Sequence, residues 1–171
     1  QGELLYNRIA PIYGVDNLSS PLLDLLNVRY VVTEGEVPNS DYKLVYDDEV
    51  RIYENVNALP RAFALPRAEW VSPADLPSRL VSLDPRQVVV LDGGQQTGEA
   101  EDQGANWPLQ TAKIVTYSSN TVFIDVDMPG PGWLVLADSY FPGWKAYRSA
   151  QSEKIPTAKT VPDDEAELQI V

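Results

Sequence analysis

The sequence contains neither cysteine nor histidine among its 171 residues. The absence of cysteine excludes disulfides, thiolate nucleophiles, zinc–thiolate sites and iron–sulfur clusters. The absence of histidine excludes the Ser-His-Asp triad and removes the commonest general base at neutral pH. Carboxylate pairs remain, but 25 Asp and Glu residues allow so many pairs that none is singled out. We therefore assign no catalytic residue, no metal ligand and no cofactor.

Positive charge is also scarce. The chain has 13 Lys and Arg residues against 25 Asp and Glu, which gives a net charge of −12. Because the basic residues are scattered, we expect no nucleic-acid partner, and the net charge disfavours an anionic membrane surface. It is compatible with a neutral or a cationic ligand. No apolar run reaches the roughly 18–20 residues that span a bilayer, and both chain ends resemble cuts in a longer polypeptide.

Residues 1–94 predict a mixed α/β half. Ser20 can cap a short helix in which Pro21 takes the first position and which Asn27 can end, and its many leucines predict burial on much of its surface. A second helix is expected after Ser72, with Pro73 at its first position. Apolar and alternating runs predict strands at 28–33, 42–46, 50–53, 60–65 and 86–92. The acidic residues 47–49 predict a turn that joins the second and third of these strands in a hairpin.

Residues 95–106 are rich in Gly, Gln and acids and predict a flexible acidic loop. After it, residues 107–171 predict a small antiparallel β-sandwich. The runs "AKIVTY", "TVFIDVDM" and "WLVLADSYF" are interpreted as a three-stranded meander, and the alternation at 165–170 predicts a last strand. The expected fold class is α+β and rich in β-structure.

The stretch "SYFPGWKAY", residues 139–147, places four aromatic rings around a Pro-Gly turn. The run before it is apolar on both faces and predicts a central strand. We therefore favour a packed corner of the sheet, with Trp144 covering the end of the core. The alternative is a platform on which a sugar stacks, for which Tyr140, Trp144 and Tyr147 are the candidate residues.

Two further groups suggest chemistry. Arg61 and Arg67 flank "AFALP", and Trp70 follows, so the three could grip a sugar or a phosphate. The favoured interpretation is structural: an arginine stem packs on a ring while its head pairs with an acid. Asp125 and Asp127 form a D-x-D pattern, but they alternate with apolar residues along a strand. This spacing places them on the solvent face, and we predict no metal there.

Three blocks of the sequence, "LLDLLNVRYVVTEG", "YKLVYDDEVRIYENVNALPRAFAL" and "GWLVLADSYFPGWKAY", occur in this order and cover much of the chain. Together they resemble the carboxy-terminal extracytoplasmic part of YfhO-type bacterial membrane proteins, which are similar to GT-C-type glycosyltransferases. The resemblance implies a location on the outer face of a bacterial membrane, attached to a membrane-embedded portion of the same polypeptide. GT-C-type enzymes carry their catalytic acid on an early loop between membrane helices, and no position here matches that loop.

The resemblance implies a domain that is inert alone, within a parent that transfers sugars. Its expected role is to cover the membrane-embedded site or to engage a glycan or other cell-envelope polymer. Two alternatives remain open: a carbohydrate-binding module of a secreted protein, and a structural assembly domain without a ligand.

Overall fold

The computed structural model describes residues 14–92, 98–99, 106–148 and 166–168. The chain divides into two compact units, Gln1–Leu59 and Pro60–Val171, called here the amino-terminal and carboxy-terminal units. The described elements are short helices and mainly antiparallel sheets. The α+β, β-rich fold class predicted from the sequence is thereby confirmed.

The amino-terminal unit is a three-stranded antiparallel sheet preceded by two short helical segments. The order of strands is β1-β3-β2, so β3 is central. The strands β2 and β3 form the hairpin that alternation predicted, with the acidic residues at its turn. In chain order the elements are a 3₁₀ helix Val15–Ser19, α1 Pro21–Leu25, β1 Tyr30–Thr33, β2 Tyr42–Asp47 and β3 Arg51–Asn55.

The core of this unit forms where the 3₁₀ helix meets one face of the sheet. Leu18, Val37, Tyr42 and Tyr53 are all buried there. Tyr42 places its hydroxyl in this core, where the hydroxyl donates to the Leu18 carbonyl at 3.0 Å. Burial raises the pKa of Tyr42, with smaller contributions from nearby acids. The phenol is therefore a neutral donor that satisfies a carbonyl inside the core.

The helix α1 begins and ends as predicted, but it is less buried than predicted. The Ser20 hydroxyl accepts from Leu22 N at 3.4 Å, and Asn27 follows the helix with φ of 56°. No residue of α1 is buried, and Leu26 after it is 61% exposed. A five-residue helix makes fewer than two turns. Only one face can therefore reach the core, and the other leucines stay partly in solvent.

A buried amide joins the end of β3 to α1. Asn55 is 3% exposed. Its Nδ2 donates to Asp24 Oδ1 at 2.8 Å and to the Val28 carbonyl at 3.1 Å, while its Oδ1 accepts from Asn57 N at 3.0 Å. We call these four residues the Asn55 network. Because both donors and the acceptor are engaged, the amide is buried without an unpaired polar atom.

The carboxy-terminal unit consists of small sheets. The described sheets have the orders β11-β4-β8, β6-β5-β7, β9-β10 and β12-β13. All pairs are antiparallel except β5 with β6, which α2 connects in a β-α-β unit. The elements are β4 Ala62–Leu65, β5 Ala68–Val71, α2 Leu76–Ser82, β6 Val89–Asp92, β7 Gly98–Glu99, β8 Gln110–Thr111, β9 Lys113–Tyr117, β10 Val122–Asp125, β11 Trp133–Leu136, β12 Ala146–Arg148 and β13 Ala166–Leu168.

The predicted meander is correct only for its first hairpin, β9 with β10. The third strand, β11, pairs with β4 instead and lies at an edge of its described sheet, not at the centre. Every residue of β4 is buried, whereas Leu134 of β11 is 42% exposed. The small apolar sequence Ala-Phe-Ala-Leu can be covered on both faces, which suits the central position.

One described sheet therefore combines β4, which precedes the predicted loop, with β8 and β11, which follow it. The boundary between the two compact units lies elsewhere, between Leu59 and Pro60. Most of 95–106 lies outside the described residues. Within it, Gly98–Glu99 form β7, which pairs with the free edge of β5.

The helix α2 begins later than predicted. Asp75 is its N-cap residue, not a residue of its first turn. The Ser72 hydroxyl donates to Asp75 Oδ2 at 2.8 Å and accepts from Asp75 N at 3.3 Å, and these two bonds close the turn before the helix.

Candidate functional site

Two adjacent aromatic rings project from the segment between β11 and β12. Tyr140 is 68% exposed and Phe141 is 70% exposed. We call them the ring pair. The Pro142-Gly143 turn follows, closed by Trp144 N donating to the Phe141 carbonyl at 3.1 Å. Gly143 has φ of 108°, which fits the third position of a type II turn and favours glycine. Phe141 is therefore the first residue of a defined turn, and Tyr140 immediately precedes it.

The predicted packed corner is wrong for the ring pair. The strand β11 lies at an edge of its described sheet and ends at Leu136, and its pairing with β4 continues only to Ala137, so the chain leaves the sheet before the rings begin. Trp144 is half-buried, which fits the packed interpretation in part. Tyr147 is also half-buried and lies in β12, with Glu167 of β13 as its Cα partner. Of the predicted platform residues, Tyr140 is the exposed one.

Three polar side chains from distant parts of the sequence meet at Asp138, two residues before the ring pair. Arg61 immediately precedes β4, Tyr117 is the last residue of β9, and Asp138 lies two residues after the end of β11. The Tyr117 hydroxyl donates to Asp138 Oδ2, and Arg61 Nη2 lies 3.2 Å from the same oxygen. Arg61 Cζ lies 5.9 Å from the centroid of the Tyr117 ring. We call these residues the Asp138 group.

The backbone holds the Asp138 group in place. Ala137 N donates to the Arg61 carbonyl at 2.8 Å, which continues the pairing of β11 with β4 past the end of the strands. Ser139 N donates to Asp138 Oδ1 at 2.9 Å. Sheet pairing thus places Arg61 beside Asp138, although the two residues are 77 positions apart in the sequence, at 61 and 138.

The pKa of Asp138 is lowered from its ordinary value. The Tyr117 hydroxyl is the largest cause, and the Ser139 amide and the Arg61 guanidinium act in the same direction, while partial burial opposes them. The carboxylate is therefore ionised at neutral pH and accepts hydrogen bonds only. Arg61 packs on a ring and pairs with an acid, as the structural interpretation predicted. Its side chain nevertheless remains 43% exposed.

The ring pair and the Asp138 group are neighbours along the chain. Tyr140 is two residues after Asp138, so their Cα atoms are at most about 7.6 Å apart. Tyr117 is itself 55% exposed. Exposed rings beside a few fixed polar groups can hold a ligand that has both apolar faces and hydroxyl groups. Sugars have this combination.

The two other candidate residues, Trp70 and Arg67, lie outside the Asp138 group. Trp70 packs edge-on against Trp133, with ring centroids 6.3 Å apart at 87°, beside buried Ala68 and Leu91. This contact places Trp70 in a small core. Arg67 is exposed, and its carbonyl accepts from Val89 N at 3.0 Å.

Sequence reasoning missed Tyr117, Asp138 and Phe141 as site residues. Tyr117 ends β9 and Asp138 lies after β11, so no local pattern joins them. Phe141 lay within the aromatic stretch, and its place before Pro142-Gly143 was the available signal.

The predicted absence of a metal concerns Asp125 and Asp127. Both are exposed, as their alternation indicated. Across 14–92, 98–99, 106–148 and 166–168, no group of three or more acidic, His or Cys side chains is arranged to hold a metal ion.

The helices of the described residues are all too short or too polar to cross a membrane. Comparisons of the chain with protein families, curated proteins and solved structures gave no match.

Proposed function

We propose that this chain is a non-catalytic extracytoplasmic domain of a polytopic, glycosyltransferase-like bacterial membrane protein, and that it engages a glycan or cell-envelope polymer. The observation that carries the proposal is the exposure of Tyr140 and Phe141, at 68% and 70%, beside the Asp138 group. These rings lie in "SYFPGWKAY", which belongs to one of the blocks that resemble YfhO-type proteins.

The energetics support a ligand at the ring pair. Burying a phenylalanine side chain contributes about 1.5–3 kcal/mol, and this contribution is largely forgone at Phe141. A single exposed ring is ordinary on a protein surface. Two adjacent exposed rings at the start of a hydrogen-bonded turn, two and three residues after an ionised carboxylate, are better suited to stacking against a sugar.

The proposal places catalysis outside this chain. The sequence lacks histidine, and no position matches the membrane-proximal loop that carries the catalytic acid in GT-C-type enzymes. The domain would instead hold the acceptor, or cover the site, while the membrane-embedded portion transfers the sugar. The gene upstream of Gln1 distinguishes this parent from a secreted carbohydrate-binding protein: the proposal expects encoded membrane helices.

The ring pair provides the test of glycan binding. Tyr140→Ala and Phe141→Ala should each weaken binding of a neutral oligosaccharide about tenfold, because each removes a contact surface at the centre of the site. Titration calorimetry measures the affinity, and thermal melts should show unchanged stability. Tyr46→Ala is the matched control, since Tyr46 is a 48% exposed tyrosine of the other unit. An equal loss in the control, or no binding by the unmodified chain, contradicts the proposal.

A structural assembly role is the second candidate, favoured by the outer face of the amino-terminal sheet. Val32, Ile52 and Tyr46 are direct cross-strand neighbours on that face. Val32 is 62% exposed and Tyr46 is 48% exposed. Sedimentation velocity tests this role: concentration-dependent association that Val32→Asp abolishes would support assembly, and a monomer at all concentrations would count against it.

A further inference from the structure

We infer that the proposed glycan site selects an uncharged saccharide, and that the Arg61–Asp138 ion pair recognises its hydroxyl groups. The inference rests on the proposed glycan-binding function and specifies its ligand class. It stands on the 3.2 Å separation between Arg61 Nη2 and Asp138 Oδ2, next to the ring pair.

The charges of the site compensate each other. A charged sugar that approached Arg61 or Asp138 would meet an opposite charge and, within a few ångströms, a like one. It would lose hydration without gaining a full ionic partner. A hydroxyl group both donates and accepts, so it can use both members of the pair. Charge compensation thus discriminates against acidic and amino sugars.

The hydrogen-bonding capacity of the pair is not exhausted. Asp138 Oδ1 accepts from Ser139 N, and a carboxylate oxygen has about two acceptor positions. Arg61 has five N–H donors, and its side chain is 43% exposed. The site therefore presents donors and an acceptor side by side, an arrangement that complements two neighbouring hydroxyl groups.

Tyr117 fixes the geometry of this recognition. Its hydroxyl holds Asp138, and its ring lies under the Arg61 guanidinium at 5.9 Å. Both members of the ion pair are thus oriented before a ligand arrives, which lowers the entropic cost of binding. The ring pair, two and three residues further on, supplies the apolar surface for the face of the sugar.

Two matched pairs of oligosaccharides test the selectivity. The hexamer of β-1,4-linked N-acetylglucosamine is compared with the glucosamine hexamer, which has the same backbone but carries positive charge. Cellohexaose is compared with a β-1,4-linked glucuronic acid hexamer, which carries negative charge. At physiological salt, the neutral member of each pair should bind at least about tenfold more tightly by calorimetry, because the charged ligands lose hydration without gaining a full ionic partner.

Two charge-removing variants test the roles of the residues. Arg61→Gln leaves Asp138 uncompensated and should shift the preference at least about fivefold toward the glucosamine hexamer. Asp138→Asn keeps the shape of the side chain and should shift it by a similar factor toward the glucuronic acid hexamer. Arg67→Gln removes another exposed arginine and should leave the preference unchanged. A purely structural ion pair would not produce opposite shifts in the two variants.

The outcomes separate this inference from the function on which it rests. If charged and neutral members bind equally, or the charged ones bind more tightly, the inference fails while glycan binding stands. If neither variant shifts the preference, the recognition role is wrong. If no saccharide binds, both the inference and the proposed function are overturned.

Discussion

The Asn55 network and the Asp138 group are two polar clusters of similar construction and different surroundings. Each joins separate segments of one unit through side-chain hydrogen bonds and includes a carboxylate. Asn55 is 3% exposed, and its amide donors and acceptor are all used within the protein. In the Asp138 group, Arg61 is 43% and Asp138 26% exposed at the side chain. Burial makes the first cluster a structural tie, whereas exposure leaves the second with capacity for a ligand.

The largest effect that this comparison predicts is at Asn55. Asn55→Leu should lower the free energy of unfolding by about 3 kcal/mol, because it removes three hydrogen bonds of a buried amide, to Asp24 Oδ1, the Val28 carbonyl and Asn57 N. Urea unfolding measures the change. Asn39→Leu is the control: Asn39 also donates from Nδ2, to Ser19 Oγ, and accepts at Oδ1, from Asp41 N, but both bonds are exposed to solvent, so their loss should cost less than about 1 kcal/mol. Equal losses in the two variants would contradict the distinction.

A smaller effect is expected at Trp144, which adjoins the ring pair. Replacing a fully buried Trp by Ala costs about 3–5 kcal/mol, and replacing an exposed residue costs about 0.5 kcal/mol or less. Trp144 is half-buried. Trp144→Ala should therefore cost about 1.5–2 kcal/mol, well above Phe141→Ala in the same denaturant series. A cost near that of Phe141→Ala would place Trp144 with the platform, and a cost above about 4 kcal/mol would restore it to the core.

The sequence predicted what depends on local pattern. Alternation in 42–55 predicted the hairpin of β2 and β3, and the Ser20-Pro21 pair predicted the start of α1. It did not predict the partner of β11. Its pairing with β4 joins residues about 70 positions apart, and the apolar pattern of β11 suits a central or an edge strand alike.

The residues of the candidate site divide in the same way, into those that a local sequence pattern identifies and those that it does not. Arg61 was found because it lies beside aromatics in the sequence, and Tyr140 because it lies in an aromatic stretch. Tyr117 and Asp138 were missed because they reach Arg61 through sheet pairing and side-chain contacts between distant segments, which local sequence does not encode. The ring pair is exposed because β11 ends at Leu136. The apolar run of the sequence continues to residue 137, so the sequence pattern does not indicate this end.

The smallest predicted effect is the pH dependence of the Asp138 group, and it tests how the group is held. The folded-state pKa of Asp138 lies below its ordinary value of 3.8. Its stabilising contribution is therefore present above that value and is lost as the pH falls through the lowered pKa. The stability difference between the unmodified chain and Asp138→Asn should shrink over this acidic range. At neutral pH it should be under about 1 kcal/mol, because the pair is partly exposed.

Tyr117→Phe sharpens this last prediction. It keeps the ring beneath Arg61 and removes the hydroxyl that is the largest cause of the lowered pKa. The pKa of Asp138, followed by NMR of its carboxyl carbon, should rise toward the ordinary value. Because the carboxylate also loses a partner that orients it, neutral oligosaccharides should bind more weakly while stability changes little. An unchanged pKa would mean that the tyrosine does not hold Asp138, and the group would then be a surface ion pair without a preset geometry.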